Sequence, residues 1–175
     1  PPPPIHKRMT LSPLTLFRCM RHRRGFGIHS PFAFRFVTEV LAQRLPYYGY
    51  ADISGDPRIR LLFRLTVYFR PTTVAVFSSE PQLLCQAIHK ASPGTHITNT
   101  SRPDFIVADA ADFPPEAYSR FIAGGASALI LNALPATRRE IASKIPHGMI
   151  FDNRRSTLVV ASLSHLPRQD FDVWF

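Results

Sequence analysis

The change of residue periodicity at Pro71 constrains the fold of this chain more than any other sequence feature. After Pro71, short runs of β-branched and apolar residues alternate with helical segments, which predicts a parallel, doubly wound α/β sheet. The predicted strands are 72–77, 95–99, 104–110 and 126–132, and the predicted helices are 81–91, 114–122 and 137–145. Three later strand-like runs, GMIFDN, TLVVAS and DFDVWF, have no helix between them, and this favours a C-terminal antiparallel hairpin.

Before Pro71 the pattern is helical. One helix is predicted from Leu14, and a second begins at Ser30–Pro31, where serine is a good N-cap and proline suits the first helical position. Asp56–Pro57 repeats this device for a third helix, which ends at Arg70–Pro71. We therefore divide the chain into an α-helical N-terminal segment, 1–70, and a sheet domain, 71–175, within one compact unit.

The positive charge is confined to the helical segment. Residues 1–70 contain 12 Lys and Arg against 3 Asp and Glu, whereas residues 71–175 contain 9 of each, so the whole net charge of +9 lies in the first segment. Such a segment binds an anionic partner or forms a solvated surface. The 18 arginines against 3 lysines favour phosphate contact. The arginines that we would test are Arg60 and Arg64, one helical turn apart, with Arg21, Arg23 and Arg24.

Length and composition indicate a soluble, cytoplasmic protein. The chain has 175 residues, 45% of them hydrophobic, with no apolar run long enough to span a membrane and no secretory signal. It starts without methionine, so we expect the natural N-terminus to differ. Cys19 and Cys85 lie in different predicted helices and match no zinc spacing, which favours reduced thiols.

Two segments of the N-terminal half resemble a known family. GFGIHSPFAF (25–34) and PYYGYADI (46–53) are similar to the N-terminal motifs of a bacterial, Bacteroidetes-type group of class I S-adenosylmethionine-dependent methyltransferases. The ending RQDFDVWF resembles the last strand of that family. The resemblance implies a Rossmann-like methyltransferase sheet, with S-adenosylmethionine held beyond the carboxyl ends of the first strands.

The resemblance assigns cofactor-binding positions that depart from the family pattern. Ser78, Ser79 and Glu80 occupy the turn where glycines are expected, although backbone amides there remain able to face a ligand. Asn99 replaces the acid that binds the ribose hydroxyls. Only TSRP separates the second and third predicted strands, which implies that the family's third strand is deleted and that 95–99 is a stub or an irregular edge.

The resemblance also places catalytic and metal candidates. Asp109 takes the position of an acid that binds metal or accepts the substrate proton, and Asn132 completes the pair for a divalent ion. An ordinary strand-end cap is the competing interpretation of Asp109, and it applies equally to Asp112 and Asp152. His29 is either a general base or a capping and packing residue, and we favour the second role because no partner lies near it in sequence.

Three functions fit these observations. The first is a methyltransferase-like enzyme with a degenerate site and an unknown small-molecule or macromolecular acceptor. The second is a non-catalytic binding or scaffold module of the same fold, in which exposed Phe and Tyr residues suit a homodimer. The third is a nucleic-acid-associated protein acting through its arginine-rich helices, although no zinc, helix-turn-helix or RNP-type signature is present.

Overall fold

A computed structural model describes residues 12–14, 17, 27–44, 48–98, 102–114, 117–122 and 124–175. Its α-helices are α1 (Pro31–Arg35), α2 (Pro57–Phe69), α3 (Gln82–Ala91) and α4 (Pro135–Ser143). Phe36–Leu41 and Tyr118–Ile122 are π-helical, and Tyr48–Asp52 is a 3₁₀ turn. The strands are β1 (Thr73–Phe77), β2 (His96–Ile97), β3 (Phe105–Asp109), β4 (Ser127–Leu131), β5 (Met149–Asp152), β6 (Leu158–Ala161) and β7 (Gln169–Asp172). Most of the helix predicted from Leu14, including Cys19, lies outside the described residues.

The seven strands form a single sheet in the order β2-β1-β3-β4-β6-β5-β7. All pairings are parallel except those of β6, which runs antiparallel to both β4 and β5. The prediction of an α/β fold with a mostly parallel sheet is therefore confirmed. Among the described residues no helix has the length and apolar character that crossing a membrane requires.

β2 has only two residues, which agrees with the stub that the short connection after 95–99 implied. Ile97 lies level with Val74 of β1, and Phe105, which opens β3, lies level with the same residue. The end of β2 and the beginning of β3 are therefore level along the sheet and lie two strand spacings, about 10 Å, apart. The Asp104 carboxylate fixes the beginning of β3, because it accepts 2.9 Å hydrogen bonds from the amides of Thr72 and Thr73.

Alternate residues of the central strands face two different apolar layers. Phe105, Val107, Leu129 and their neighbours pack with α1, α2 and α3 on one face. Ile106, Ala108, Ile130 and their neighbours pack on the other face with α4 and the π-helical turn Tyr118–Ile122. The period of two thus buries both faces of β3 and β4, except at Asp109, which ends β3 and is half-buried.

The second predicted helix begins as the sequence indicates. The Ser30 hydroxyl accepts a hydrogen bond from the Ala33 amide at 3.3 Å, and Pro31 is the first helical residue. After Phe36 the helix continues with π geometry, in which the Ala42 amide donates to the Val37 carbonyl. The helical spacing of Phe32, Phe36, Val37, Val40 and Leu41 predicts one apolar face, and in the structure the last four are buried while Phe32 is half-buried.

Phe36 connects this helix to the sheet. Its ring is fully buried and lies 4.9 Å from that of Phe151 in β5 and 5.1 Å from that of Tyr68 in α2, measured between centroids. Aromatic pairs at these separations add to the free energy of area burial. Phe36, two residues after the 25–34 motif, thus packs the N-terminal segment against the sheet domain.

We expect Phe36→Ala to lower the free energy of unfolding by about 3–5 kcal/mol, because it leaves a cavity among buried rings. Phe34→Ala is the matched control, since Phe34 is two residues away and 44% exposed. Urea unfolding monitored by circular dichroism measures both variants. Equal destabilisation by the two substitutions would contradict the packing assigned to Phe36.

A second prediction concerns Gly148, which precedes β5 with φ of +94°. A Cβ at this position would lie 2.5 Å from the Ala161 carbonyl oxygen and 2.9 Å from the Leu163 amide nitrogen. Gly148→Ala is therefore expected to cost at least about 2 kcal/mol in unfolding free energy, from strain and backbone displacement together. Gly94→Ala is the control, because a Cβ there meets nothing within 4 Å and should leave stability unchanged or slightly higher.

Candidate functional site

The strand order reverses between β1 and β3, because β2 lies on one side of β1 and all later strands lie on the other. In open α/β sheets the crevice outside the carboxyl ends of the strands at such a point binds ligands. A cavity of about 200 Å³ is found there. Its lining residues are Asp56, Arg58, Ile59, Ser78, Ser79, Glu80, Leu83, Leu84, Asp109, Leu131 and Asn132.

The backbone amides of the turn after β1 are already hydrogen-bonded within the protein. The Ser79 amide donates to the Asp112 carboxylate at 2.6 Å, and the Glu80 amide donates to the Ser78 hydroxyl at 3.2 Å. Sequence analysis left these amides available to a ligand. In the structure both already have protein acceptors, so a ligand would have to displace them.

Asp109 and Asn132 end neighbouring parallel strands and bind each other. One carboxylate oxygen of Asp109 accepts from the Asn132 side-chain amide, and the other accepts from the Ala111 amide at 3.1 Å. Asn132 has φ of +54°, a left-handed conformation that asparagine tolerates. With both oxygens hydrogen-bonded within the protein, Asp109 has the geometry of a strand-end cap.

Arg58 connects this pair to the beginning of α2. Its guanidinium binds the Asp56 carboxylate through Nε at 3.1 Å and Nη2 at 2.7 Å, and its Nη1 donates to the Asn132 side-chain oxygen at 3.1 Å. The hydrogen bond to Arg58 lowers the pKa of Asp56, and the same contact raises the pKa of Arg58. Because the Asn132 oxygen accepts from a cation, it is not free to ligate a metal ion.

The remaining sequence candidates do not join this cavity. His29 is exposed in the residues before α1 and is not part of the cavity lining. Asp152 lies at the end of β5, where it is paired with Arg138 at 2.9 Å. Asn99 falls outside the described residues. Within the part of the chain that the structure describes, no group of three or more His, Cys, Asp or Glu side chains is placed to hold a metal ion.

Cys85, the predicted reduced thiol of α3, is half-buried and unpaired with another cysteine among the described residues. Burial raises the pKa of its thiol, which disfavours the nucleophilic thiolate. The structure therefore gives Cys85 no feature of a catalytic nucleophile.

A larger concavity, which we name the arginine groove, lies beside the cavity and shares Arg58 with it. Its volume is about 570 Å³. Its lining comes from the residues after α1, from the first turns of α2, from the β5–β6 loop and from the residues after β7. The lining residues are Leu41, Ala42, Gln43, Arg44, Tyr50, Pro57, Arg58, Arg60, Leu61, Arg64, Asn153, Arg155, Ser156, Thr157, Trp174 and Phe175.

Arg60 and Arg64, which the sequence singles out as a helical pair, both line this groove, whereas Arg155 and Trp174 were not predicted. The two missed residues are distant in sequence from the basic segment, and no local motif associates them with it. The consecutive arginines 154 and 155 after Asn153 were the available signal, because a loop that combines an Asx turn with arginines often binds anions. Arg21, Arg23 and Arg24 lie outside the described residues.

Comparison with known proteins returned no match to any protein-family model, to any curated protein or to any solved structure. We therefore propose a function from the geometry of the two concavities and from the sequence resemblance.

The contacts of Arg58 predict the titration of Asp56. Arg58→Gln should raise the pKa of Asp56 towards its ordinary value of 3.8, because the first cause of its lowering is the hydrogen bond to Arg58. Carboxyl-carbon NMR titration measures this change. Arg60→Gln is the matched control and should leave the Asp56 titration unchanged, since Arg60 has no carboxylate partner among the described residues.

The same shift has a consequence for stability. A carboxyl whose pKa is lowered by folding stabilises the folded state above its unfolded pKa, and this contribution is lost as the pH falls through the lower folded pKa. The stability difference between the unsubstituted protein and Asp56→Asn should therefore be present at neutral pH, begin to decrease near pH 3.8 and be lost as the pH falls through the lower folded pKa. For an exposed pair we expect less than about 1 kcal/mol. A difference that persists unchanged at pH 2 would contradict the assignment.

Proposed function

We propose that the chain is a protein of the class I methyltransferase fold that does not hold S-adenosylmethionine and acts by binding rather than by methyl transfer. The strand order supports the fold assignment. Dinucleotide-binding sheets have the order 3-2-1-4-5-6. With the third strand of that order left out, β2, β1, β3, β4 and β5 of this protein follow the order 2-1-4-5-6. The two additional strands are β6, which lies antiparallel between β4 and β5, and β7, which lies at the edge. The sequence motifs at 25–34 and 46–53 support the same ancestry.

The closed turn after β1 is the observation that carries the binding assignment. A cofactor with a long polar tail needs close approach to this turn and free amide donors. Here the Ser79 and Glu80 amides are engaged by Asp112 and Ser78, and the Glu80 carboxylate lines the same cavity. The residues present do not fit S-adenosylmethionine.

The size of the cavity supports the same conclusion. Its volume of about 200 Å³ lies below the range of about 300–1,000 Å³ that is usual for sites of drug-sized ligands. The Arg58–Asn132–Asp109 chain of hydrogen bonds occupies the mouth between α2 and the strand ends. A ligand that entered between α2 and the strand ends would have to displace these two hydrogen bonds.

A cofactor titration tests this proposal. A ligand with a dissociation constant of about 10 μM, added at about 1 mM, stabilises a folded protein by roughly 2.7 kcal/mol. We expect S-adenosylmethionine at that concentration to stabilise this protein by less than about 0.4 kcal/mol, the value for a dissociation constant at or above the ligand concentration. Calorimetric titration and thermal unfolding provide independent readouts.

An active class I methyltransferase, titrated in parallel, serves as the positive control. Asp112→Ala is an informative variant, because it frees the Ser79 amide without touching α2. Low-micromolar binding of S-adenosylmethionine to the unsubstituted protein would contradict the proposal. It would favour the alternative that the sequence resemblance implies, an active methyltransferase.

A further inference from the structure

The arginine groove carries an excess of positive charge. Five arginines line it, and none of its lining residues is Asp or Glu. Like charges gathered around a concavity raise the local potential and attract anions. The groove therefore has the electrostatic character of an anion-binding site, provided that its arginines are not already committed to other partners.

Two of the five arginines are committed. Arg58 binds Asp56 and Asn132. Arg64 donates to the carbonyls of Val40 at 2.7 Å and Leu41 at 3.2 Å, and so caps the π-helical end of the α1 segment. Because Arg64 is engaged by these carbonyls, of the pair Arg60 and Arg64 only Arg60 stays available for a phosphate contact.

Three arginines remain directed to the groove. Arg44, Arg60 and Arg155 are exposed and have no carboxylate partner among the described residues. They come from three separate parts of the chain: the segment after α1, α2, and the β5–β6 loop. Their convergence is a property of the tertiary structure, because no two of them are near neighbours in sequence.

Flat aromatic surfaces accompany these charges. The guanidinium of Arg155 lies 3.8 Å from the centre of the Trp174 ring, and that of Arg60 lies 5.3 Å from the centre of the Tyr50 ring. Such cation–π pairs hold an arginine side chain in place. Guanidinium planes and aromatic rings are the surfaces on which unpaired nucleobases stack in complexes with protein.

The loop that carries Arg155 is fixed from within. The Asn153 side-chain oxygen accepts from the amides of Arg155, Ser156 and Thr157 at 2.9, 3.0 and 2.9 Å. Asn153 is itself buried, so the loop is held before any ligand binds. Because the loop is already ordered, less conformational entropy is lost when a ligand binds.

We propose that the arginine groove binds a phosphate-bearing nucleobase, either a free nucleotide or one unit of a single-stranded nucleic acid. Arg44, Arg60 and Arg155 would contact phosphate, and the Arg155–Trp174 stack would contact the base. The volume of about 570 Å³ lies within the range of about 300–1,000 Å³ that is usual for sites of small ligands. A duplex does not fit this chemistry, because its base faces are already stacked. The inference deepens the proposed function by naming the ligand class of the binding protein.

The chain contains one tryptophan, so its fluorescence reports on Trp174 alone. A 12-nucleotide single-stranded RNA or DNA, a nucleoside triphosphate, a duplex of the same sequence and inorganic pyrophosphate are each titrated at about 50 mM salt. We expect the single strand or the triphosphate to quench the Trp174 emission. Pyrophosphate should bind without quenching, since it has no base to stack.

Salt dependence checks the phosphate contacts. Three contacts at about 0.7 each on a single strand give a slope near −2 in log affinity against log salt. Affinity for the oligonucleotide should then fall about 18-fold between about 50 and 200 mM salt. Fluorescence anisotropy of a labelled oligonucleotide measures this series.

Substitutions distinguish binding in the groove from non-specific attraction to the positive charge of the protein. Arg60→Gln with Arg155→Gln should reduce the slope by about 1.4 and the affinity at low salt by about tenfold or more. Arg102→Gln with Arg139→Gln is the matched control, which removes the same charge from exposed residues outside the groove lining. Trp174→Leu should weaken binding about 5- to 150-fold, whereas Trp174→Phe should retain most of it. Circular dichroism verifies that each variant is folded.

The outcomes are distinct. Quenching by the triphosphate alone, or by the oligonucleotide, supports the proposal and identifies the source of the nucleotide. No binding at about 50 mM salt, equal binding of single strand and duplex, or equal loss in the control pair overturns it, as does binding that depends on Arg21, Arg23 and Arg24 and not on the groove. The cofactor titration is independent of these results, so failure of this inference leaves the proposed function to be judged separately.

Discussion

The packing of Phe36 against Phe151 is the contact on which the organisation of this protein depends. It covers one face of the sheet with the N-terminal helices, and the rings of Tyr68 and Phe69 extend the same aromatic layer. A sheet with helices on one face only would leave β3 and β4 exposed on the other, whereas both of these strands are buried on both faces. The position of α2, and therefore of both concavities, follows from this packing.

The arginines of α2 have different roles because their surroundings differ. Arg58, at the first turn, meets the cap Asp56 and the strand-end residue Asn132, so it closes the small cavity. Arg64, six residues later, donates hydrogen bonds to the carbonyls of Val40 and Leu41 and so caps the end of the preceding helix. Arg60 meets neither and stays available on the groove. The three arginines of α2 therefore have three roles. Arg58 binds groups of the small cavity, Arg64 caps the preceding helix, and Arg60 lines the arginine groove.

The small cavity and the arginine groove differ in whether their charged side chains have partners within the protein. In the small cavity the side chains of Asp109 and Asn132 at the strand ends bind each other and further protein groups, and a group with its hydrogen bonds satisfied gains little from a ligand. In the arginine groove the charges of Arg44, Arg60 and Arg155 have no carboxylate partner among the described residues, and they gain from any anion that approaches. The balance between satisfied and unsatisfied polar groups is the physical reason for placing binding in the groove.

Local sequence determined the elements of this protein, and only the tertiary structure decided its sites. Ser30–Pro31 and Asp56–Pro57 set helix starts because capping is a contact within one turn, and the β-branched runs after Pro71 set an α/β sheet because strand periodicity is local. The four residues TSRP indicated that β2 is a stub, but its register against β1 is a long-range pairing that no local pattern encodes. The engagement of the Ser79 amide by Asp112, 33 residues away, closed the turn that sequence left open. The meeting of Arg60 with Arg155 and Trp174 likewise required long-range packing, because side chains far apart in sequence converge only when the elements that carry them share a buried core.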